Sequence, residues 1–122
     1  MSRILIVDDA ESNRQLLDYL LRHFGHETIL ADNGADAIEA ALRERPDLAI
    51  IDLAMPGMRG EEVARRLRAT PEVAHMPLLA ISVGLDPQDH PDGGFDGWYP
   101  MPIDPEHLLQ GIQRYLQDAS AG

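Results

Sequence analysis

Three aspartates, Asp8, Asp9 and Asp52, directly follow two short apolar runs at residues 4–7 and 48–51. Each run has the length and composition of a strand that is covered on both faces. Parallel strands of an α/β sheet carry their ligand sites outside the carboxyl ends, so we expect the three carboxylates to form one cluster. Such carboxylates repel one another, and a hard cation with oxygen ligands, such as Mg2+, would neutralise them. A carboxylate beside Mg2+ can also accept a phosphoryl group as a nucleophile.

Short apolar runs alternate with amphipathic stretches along the whole chain, which predicts strands alternating with helices. We therefore expect an α/β fold with a mostly parallel sheet and helices on both of its faces. The predicted strands cover residues 3–8, 27–31, 47–52, 77–82 and 97–101.

The stretches between the strands have helical spacing and recognisable ends. The first helix is expected to begin near Ser12 or Asn13 and to stop at Gly25, and the last to begin with Asp104 as N-cap and Pro105 at its first position. The faces expected to be buried are Leu16, Leu17, Leu20, Leu21 and Phe24 in the first helix, Ala37, Ile38, Ala41 and Leu42 in the second, Val63, Ala64 and Leu67 in the third, and Leu108, Leu109, Ile112, Tyr115 and Leu116 in the last.

One segment breaks this alternation. Residues 84–97 lie where a fourth helix is expected, but they contain two prolines and four glycines. Proline inside a helix costs about 3 kcal/mol and glycine about 1 kcal/mol relative to alanine. We therefore predict a loop or a single turn there. No linker or repeat is visible, so residues 1–118 are predicted to form a single domain and residues 119–122 a frayed tail.

Composition excludes several classes of function. The formal net charge of -11 disfavours binding to nucleic acid and to anionic lipid, both of which need basic surfaces. The absence of cysteine excludes disulfides, zinc–thiolate sites and thiol catalysis. No apolar run approaches the roughly 20 residues of a membrane span, and the N-terminus enters a strand without a signal-peptide pattern. A cytoplasmic protein is expected.

The motifs together resemble the receiver domain of two-component response regulators, over essentially the full chain. The residues that carry the resemblance are the run at 4–9 with its acidic pair, the segment 52–60, which fits the pattern D-x-x-M-P-x-M-x-G and ends at Gly60, and Ser82 after the fourth apolar run. The resemblance implies a flavodoxin-like, doubly wound, five-stranded parallel sheet, here with the fourth helix short, irregular or missing.

The resemblance also implies roles for four residues around a metal ion. Asp52 would be the phosphoacceptor and a metal ligand, Asp9 a direct Mg2+ ligand, and Asp8 the partner of a metal-bound water. The backbone carbonyl of Ala54 would be a further ligand. Aspartates that only cap the loops and helices after the strands are the simpler alternative.

The expected switch residues include one departure from the family pattern. Ser82 corresponds to the switch hydroxyl and Trp98 to the switch aromatic, although packing alone would also explain the tryptophan. The family has lysine followed by proline after the fifth strand, whereas this chain has Met101 followed by Pro102, and it contains no lysine. A thioether cannot replace the missing cation. Arg59, just after the segment that contains Asp52, is the nearest arginine in sequence that could reach the site instead. A cis bond before Pro102 is expected from the resemblance.

Three functions are compatible with these residues. The leading hypothesis is a stand-alone receiver that is phosphorylated on Asp52 by a histidine kinase or phosphotransfer protein and signals to an unknown downstream protein. The alternative is a degenerate pseudo-receiver that binds a partner independently of phosphorylation, through exposed Leu85, Phe95 and Trp98. A Mg2+-dependent phosphatase is a third possibility, but Ala54 stands where a second general acid would be needed, so we expect no enzymatic activity.

Overall fold

Five parallel strands form one sheet in the spatial order β2-β1-β3-β4-β5. The computed structural model of the chain describes residues 2–83 and 94–121, with side chains through residue 117. The strands are β1 Arg3–Val7, β2 Glu27–Ala31, β3 Leu48–Asp52, β4 Leu78–Val83 and β5 Gly97–Met101. This order is that of flavodoxin-like doubly wound sheets, so the predicted fold class is confirmed.

Within the described residues four helices cover the two faces of the sheet. They are α1 Glu11–His23, α2 Gly34–Glu44, α3 Gly60–Arg68 and α4 Pro105–Ala121. Residues 84–93, which hold most of the predicted loop at 84–97, lie outside the described part of the chain. No described helix is long and apolar enough to cross a membrane.

Strand side chains alternate between two apolar clusters, because successive residues of a strand point to opposite faces. On one face Leu5 and Val7 of β1 pack with α2 and α3, and on the other Ile4 and Ile6 pack with α1 and α4. All four of these β1 side chains are fully buried. The sheet is thus covered on both sides, which explains why the central strands read as continuous apolar runs.

The start of α1 differs from the prediction. Ala10 is the N-cap residue and makes no side-chain hydrogen bond to the helix, so Ser12 and Asn13 lie inside the first turn rather than before it. A cap is therefore absent although two good capping residues stand nearby. The predicted stop is confirmed, because Gly25 follows the helix with a φ of 90°, a conformation that favours glycine.

The buried face of α1 is narrower than predicted. Leu17 and Leu21 are buried against the sheet, whereas Leu16 is 59% exposed and Phe24 is 56% exposed. Successive helical residues are about 100° apart, so a helix that rests on a flat sheet cannot bury all five apolar positions of this stretch. Leu42 at the end of α2 is 38% exposed for the same reason.

The last helix begins as predicted. Oδ1 of Asp104 accepts hydrogen bonds from the backbone N–H groups of Glu106 at 3.2 Å and His107 at 3.4 Å. Leu108 and Ile112 are buried under the helix. The helix continues to Ala121, so it extends past residue 118, and the domain boundary placed there stays a prediction.

One arginine ties three parts of the chain together. The guanidinium of Arg68 donates to the carbonyl oxygens of Ala74 at 2.9 Å, Met76 at 2.6 Å and Gly94 at 2.6 Å, and to Oδ2 of Asp96 at 2.9 Å. These contacts join the end of α3 to the loop before β4 and to the start of β5. Arg68 is therefore a structural anchor for the strand that carries Trp98 and Met101.

Candidate functional site

The three predicted carboxylates lie together at the carboxyl ends of β1 and β3. The two strands are neighbours with Val7 opposite Ile51, so the chain leaves both strands at the same edge of the sheet. One carboxylate oxygen from each of Asp8, Asp9 and Asp52 lies within 4.8 Å of the other two. Asp8 is buried, Asp52 is half-buried and Asp9 is exposed. The acidic pocket therefore has a dry floor and a side that faces solvent.

Backbone hydrogen bonds hold two of the carboxylates in place. The N–H of Asp8 donates to the carbonyl of Ala31 at 3.1 Å, and Oδ1 of Asp8 accepts from the N–H of Ala10 at 2.9 Å. Oδ1 of Asp52 accepts from the N–H of Ala54 at 3.1 Å. Each aspartate thus accepts a bond from the residue two positions further on, which fixes its orientation at the strand end.

The pocket is electrostatically unfavourable for its own charges. Burial raises the pKa of Asp8 from its ordinary value of 3.8 to about 6, and the neighbouring carboxylates of Asp52 and Asp9 add to the effect, while the hydrogen bond from Ala10 opposes it. Burial also raises the pKa of Asp52, against the hydrogen bond from Ala54 and with a further contribution from Asp9. The site therefore favours either a proton or a cation over three bare carboxylates.

The residues of the pocket fit a divalent cation. Oδ2 of Asp8 is buried and accepts no hydrogen bond from the described residues. Leaving a buried acceptor unpaired costs about 1–3 kcal/mol, and more when the group is charged. All the side-chain donors are oxygens, which are the ligands that Mg2+ prefers. The role of the Ala54 carbonyl as a further ligand stays a prediction.

Gly60 packs against the backbone of Asp52 and Leu53. In the sequence it was notable only as the last residue of the pattern at residues 52–60. A Cβ at this position would lie 2.5 Å from the carbonyl oxygen of Asp52 and 2.8 Å from Cα of Leu53. The N–H of Gly60 also donates to the carbonyl of Leu53 at 3.2 Å. The first turn of α3 therefore packs directly on the backbone of Asp52, and only glycine allows this approach.

Ser82 lies on the strand next to Asp52. β3 and β4 pair with Asp52 opposite Ile81, so Ser82 is one residue beyond that pair at the same edge of the sheet. Its side chain is half-buried, and the hydroxyl donates to the carbonyl of Val83 at 3.4 Å. This position agrees with the site predicted from the sequence, while the switch role itself stays a prediction.

Trp98 lies on β5 opposite Ala80 and is half-buried. It packs against the apolar cluster under α2 and α3. Phe95, just before β5, is only 7% exposed and belongs to the same cluster. The exposed apolar surface expected at Phe95 and Trp98 is thus not formed as predicted, because both side chains pack inward; Leu85 lies outside the described residues.

Met101 ends β5 and is half-buried on the other face of the sheet. It packs against the apolar cluster that also contains Ile103 and the α4 side chains. The peptide bond from Met101 to Pro102 is cis, as expected. The position where the sequence resemblance predicts a lysine is therefore filled by an apolar side chain in an apolar environment.

No arginine among the described residues forms an ion pair with Asp8, Asp9 or Asp52. Arg59, the candidate from the sequence, is two-thirds exposed and lies with its Nε 3.5 Å from Glu61. Arg14, which the sequence did not single out, donates from Nη1 to the backbone carbonyl of Asp8 at 2.8 Å. Arg14 thus contacts the edge of the pocket through the backbone. It closes the first turn of the helix that follows the acidic pair, and this position in the sequence could have suggested it.

Comparison with known proteins agrees with this geometry. The family model of the response regulator receiver domain matches residues 4–115. Protein PilH of Pseudomonas aeruginosa is 33% identical over 119 residues, which are 95% of this chain and 98% of PilH. The polar-differentiation response regulator DivK of Brucella anthropi is also 33% identical over 119 residues, which are 95% of this chain and 97% of DivK.

A solved structure gives the same result in three dimensions. The chemotaxis protein CheY4 of Vibrio cholerae superposes with a TM-score of 0.88 at 33% identity, covering 94% of this chain and 98% of that chain. The sheet order, the acidic pocket and these matches agree over nearly the whole sequence. The chain belongs to the response regulator receiver domain family.

Proposed function

We propose that this chain is a stand-alone receiver that takes a phosphoryl group onto Asp52 with the help of Mg2+ and signals through protein contacts. The observation that carries the proposal is the pocket of Asp8, Asp9 and Asp52, whose oxygens lie within 4.8 Å of one another. The chain is similar to PilH and DivK over 98% and 97% of their lengths, and this similarity supports a role as a response regulator.

Asp52 is the nucleophile in this proposal. The donor is a phosphohistidine of a histidine kinase or a phosphotransfer protein. One carboxylate oxygen of Asp52 forms a bond to phosphorus, while the phosphorus–nitrogen bond of the donor breaks and its electron pair stays on the imidazole. The product is an aspartyl phosphate. The hydrogen bond from the Ala54 N–H to Oδ1 holds the carboxylate during the attack.

Asp8, Asp9, Asp52 and the carbonyl of Ala54 would hold the metal ion. When bound, Mg2+ would neutralise the carboxylates and the charge on the transferring phosphoryl oxygens. Asp8 is the residue most in need of this cation, because it is buried and its Oδ2 accepts no hydrogen bond from the described residues. A bound cation would therefore stabilise the ionised form of Asp8 as well as assist phosphoryl transfer.

Ser82 and Trp98 are proposed to pass the change on to a downstream protein. Ser82 follows the residue opposite Asp52, so its hydroxyl can turn from Val83 toward a phosphoryl group there. Trp98 lies beside this strand, opposite Ala80. A shift of both side chains would select between two states of this edge of the sheet, which is the usual form of such switching.

A second candidate is supported by Met101. Its apolar packing leaves the site without the cation that the family has at this position, and no lysine in the chain can replace it. In this second candidate, the domain binds its partner in the same way with or without a phosphoryl group. A phosphatase activity is not proposed, because Ala54 supplies no acid and receiver domains are signalling modules.

The test is intact-protein mass spectrometry after incubation with acetyl phosphate, with Mg2+ and with a chelator. We expect the mass of one phosphoryl group on the wild type with Mg2+, a strong reduction with chelator, and none on Asp52→Asn. Asp32→Asn, an exposed aspartate after β2, is the matched control and should behave like the wild type. Equal labelling of Asp52→Asn would refute the proposal, and unchanged partner affinity on labelling would favour the second candidate.

A further inference from the structure

Large apolar side chains are exposed along the outer side of α1. The inner side of this helix rests on β1 and β2, where Leu17 and Leu21 are buried. Leu16 is 59% exposed and Tyr19 is 72% exposed, because successive helical residues are about 100° apart and these two lie away from the buried side. Exposed apolar side chains that lie together indicate an interaction site more strongly than single ones do.

These side chains belong to a stripe with the spacing of a helix–helix contact. The outer stripe of α1 consists of Ser12, Leu16, Tyr19 and His23, which are all exposed and are four, three and four residues apart. Alternating steps of four and three are those of the positions through which two helices pack side by side. The ring of Tyr19 stacks on His23 with centroids 6.2 Å apart, which keeps the tyrosine along the stripe. The outer stripe therefore fits another helix.

The two ends of α1 carry opposite charges beside this stripe. Glu11 lies in the first turn and Arg22 in the last. They are eleven residues apart, so their directions around the helix axis differ by only about 20°. Arg22 is 68% exposed and contacts Asp18 at 4.0 Å, and a guanidinium with five donors can bind a second carboxylate as well. Turned end for end, α1 therefore has charges complementary to its own.

We infer that the outer stripe of α1 binds the same stripe of a second copy of this chain, with the two helices antiparallel about a two-fold axis. Leu16 of each copy then packs on Tyr19 of the other, because a two-fold contact repeats every pair. At 1.5 Å per residue, Glu11 of one copy lies about 3 Å along the helix axis from Arg22 of the other. Both ends of the contact thus carry an ion pair.

The contact is small, and the dimer is weak. One helix per copy buries less than the roughly 1,200 Å2 at which stable interfaces begin. The net charge of -11 on each chain also opposes association, although physiological salt screens this repulsion beyond about 8 Å. We therefore expect a dissociation constant of about 100 μM.

This dimer does not depend on the acidic pocket. The outer stripe contains none of Asp8, Asp9 and Asp52, and it lies on the side of α1 that faces away from the sheet. Association is expected with Mg2+ and with a chelator alike, and Asp52→Asn should associate like the wild type. The inference therefore stands apart from the proposed phosphorylation of Asp52, and either can fail without the other.

Sedimentation equilibrium of the whole chain at physiological salt measures the association, from about 10 μM to about 1 mM, a decade on either side of the expected constant. Tyr19→Ser should weaken the dimer at least about tenfold, because the two-fold contact loses two central side chains at once. Leu42→Ser removes a 38% exposed leucine of α2 and is the matched control, which should associate like the wild type. Circular dichroism verifies that both variants are folded.

A charge exchange tests the antiparallel direction. Glu11→Arg alone and Arg22→Glu alone should each weaken the dimer at least about threefold, because like charges then meet at both ends. An equal mixture of the two variants should associate at least as tightly as the wild type, since every end then pairs an arginine with a glutamate. Only a helix that meets its own copy in the antiparallel direction gives this result.

The inference is confirmed if the wild type dimerises, Tyr19→Ser does not, and the mixture restores association. It is overturned if the wild type stays monomeric up to about 1 mM, which would leave the stripe to a different protein. It is also overturned if Tyr19→Ser and Leu42→Ser associate equally, which would place the dimer contact elsewhere, or if the mixture associates no better than its components.

Discussion

Replacing Asp8 by asparagine should stabilise the metal-free protein, because the wild-type pocket holds a buried carboxylate that resists ionisation. The pKa of Asp8 is raised from 3.8 to about 6 by burial and by Asp52 and Asp9. At about 1.4 kcal/mol per pKa unit, ionising Asp8 in the folded state costs about 3 kcal/mol more than in the unfolded chain. Asparagine keeps the shape and the acceptor for the Ala10 N–H, and it carries no charge.

The effect has a defined pH window. The folded protein holds the Asp8 proton more tightly than the unfolded chain does, so wild-type stability falls as the pH rises from about 4 to about 6. Asp8→Asn does not lose this stability. The variant should therefore match the wild type near pH 4 and exceed it by up to about 3 kcal/mol above pH 7.

Urea unfolding across this pH range, in the presence of a chelator, measures the difference directly. Asp32→Asn, at an exposed position, is the matched control and should follow the wild type at every pH. Added Mg2+ should stabilise the wild type and reduce the advantage of Asp8→Asn, because the metal binds the folded state. An Asp8→Asn variant no more stable than the wild type at alkaline pH would show that Asp8 is not electrostatically strained.

Three further substitutions test other parts of the account. Arg68→Met should lower the free energy of unfolding by about 1–3 kcal/mol, because the part-buried carbonyls of Ala74 and Met76 and the carboxylate of Asp96 lose their donor. Arg66→Met, at an exposed position, should change the free energy of unfolding little, and an equal loss in both variants would contradict the anchor role. Gly60→Ala should lower the free energy of unfolding, measured in urea, by about 1–3 kcal/mol and should slow phosphorylation, because the added methyl group would lie 2.5 Å from the carbonyl oxygen of Asp52. Wild-type stability and labelling rate in this variant would refute the close packing. Met101→Lys should speed acetyl-phosphate labelling at least about tenfold by placing a cation at the site, and an unchanged rate would show that residue 101 does not reach the pocket.

The sheet and its pocket could be predicted because both follow from local rules. The apolar runs ending at Val7 and Ile51 are too continuous for half-exposed strands, so they had to be covered on both faces. Parallel strands then bring the residues after them to one edge, which places Asp8 and Asp52 together. The clustering of acidic residues at the ends of parallel strands can therefore be predicted without knowledge of the side-chain packing.

The burial of individual helix faces could not be predicted in the same way. Leu16 and Phe24 have the helical spacing of core residues, yet they are more than half exposed, since the width of the buried face depends on how α1 rests on the sheet. Phe95 presents the opposite case, because it follows a segment of glycines and prolines and is nevertheless buried. The contacts of Arg68 with Gly94 and Asp96 hold this part of the chain against the core.

The ion-pair and hydrogen-bond partners of individual arginines also could not be predicted from the sequence. Arg59 is close to Asp52 in the chain, but it lies beside Glu61 at the surface. Arg14 instead contacts the backbone of Asp8 from the end of the first turn of α1. Sequence distance identifies candidates for such pairs, and only the direction in which each helix leaves the sheet decides between them.

The most direct test of the central claim is to locate the phosphoryl group. The protein is incubated with acetyl phosphate and Mg2+, reduced with borohydride, which converts an aspartyl phosphate to homoserine, and digested for peptide mass spectrometry. We expect homoserine at position 52 alone, dependent on Mg2+, with none at Asp8 or Asp9. Modification elsewhere, or at position 52 regardless of Mg2+, would contradict it.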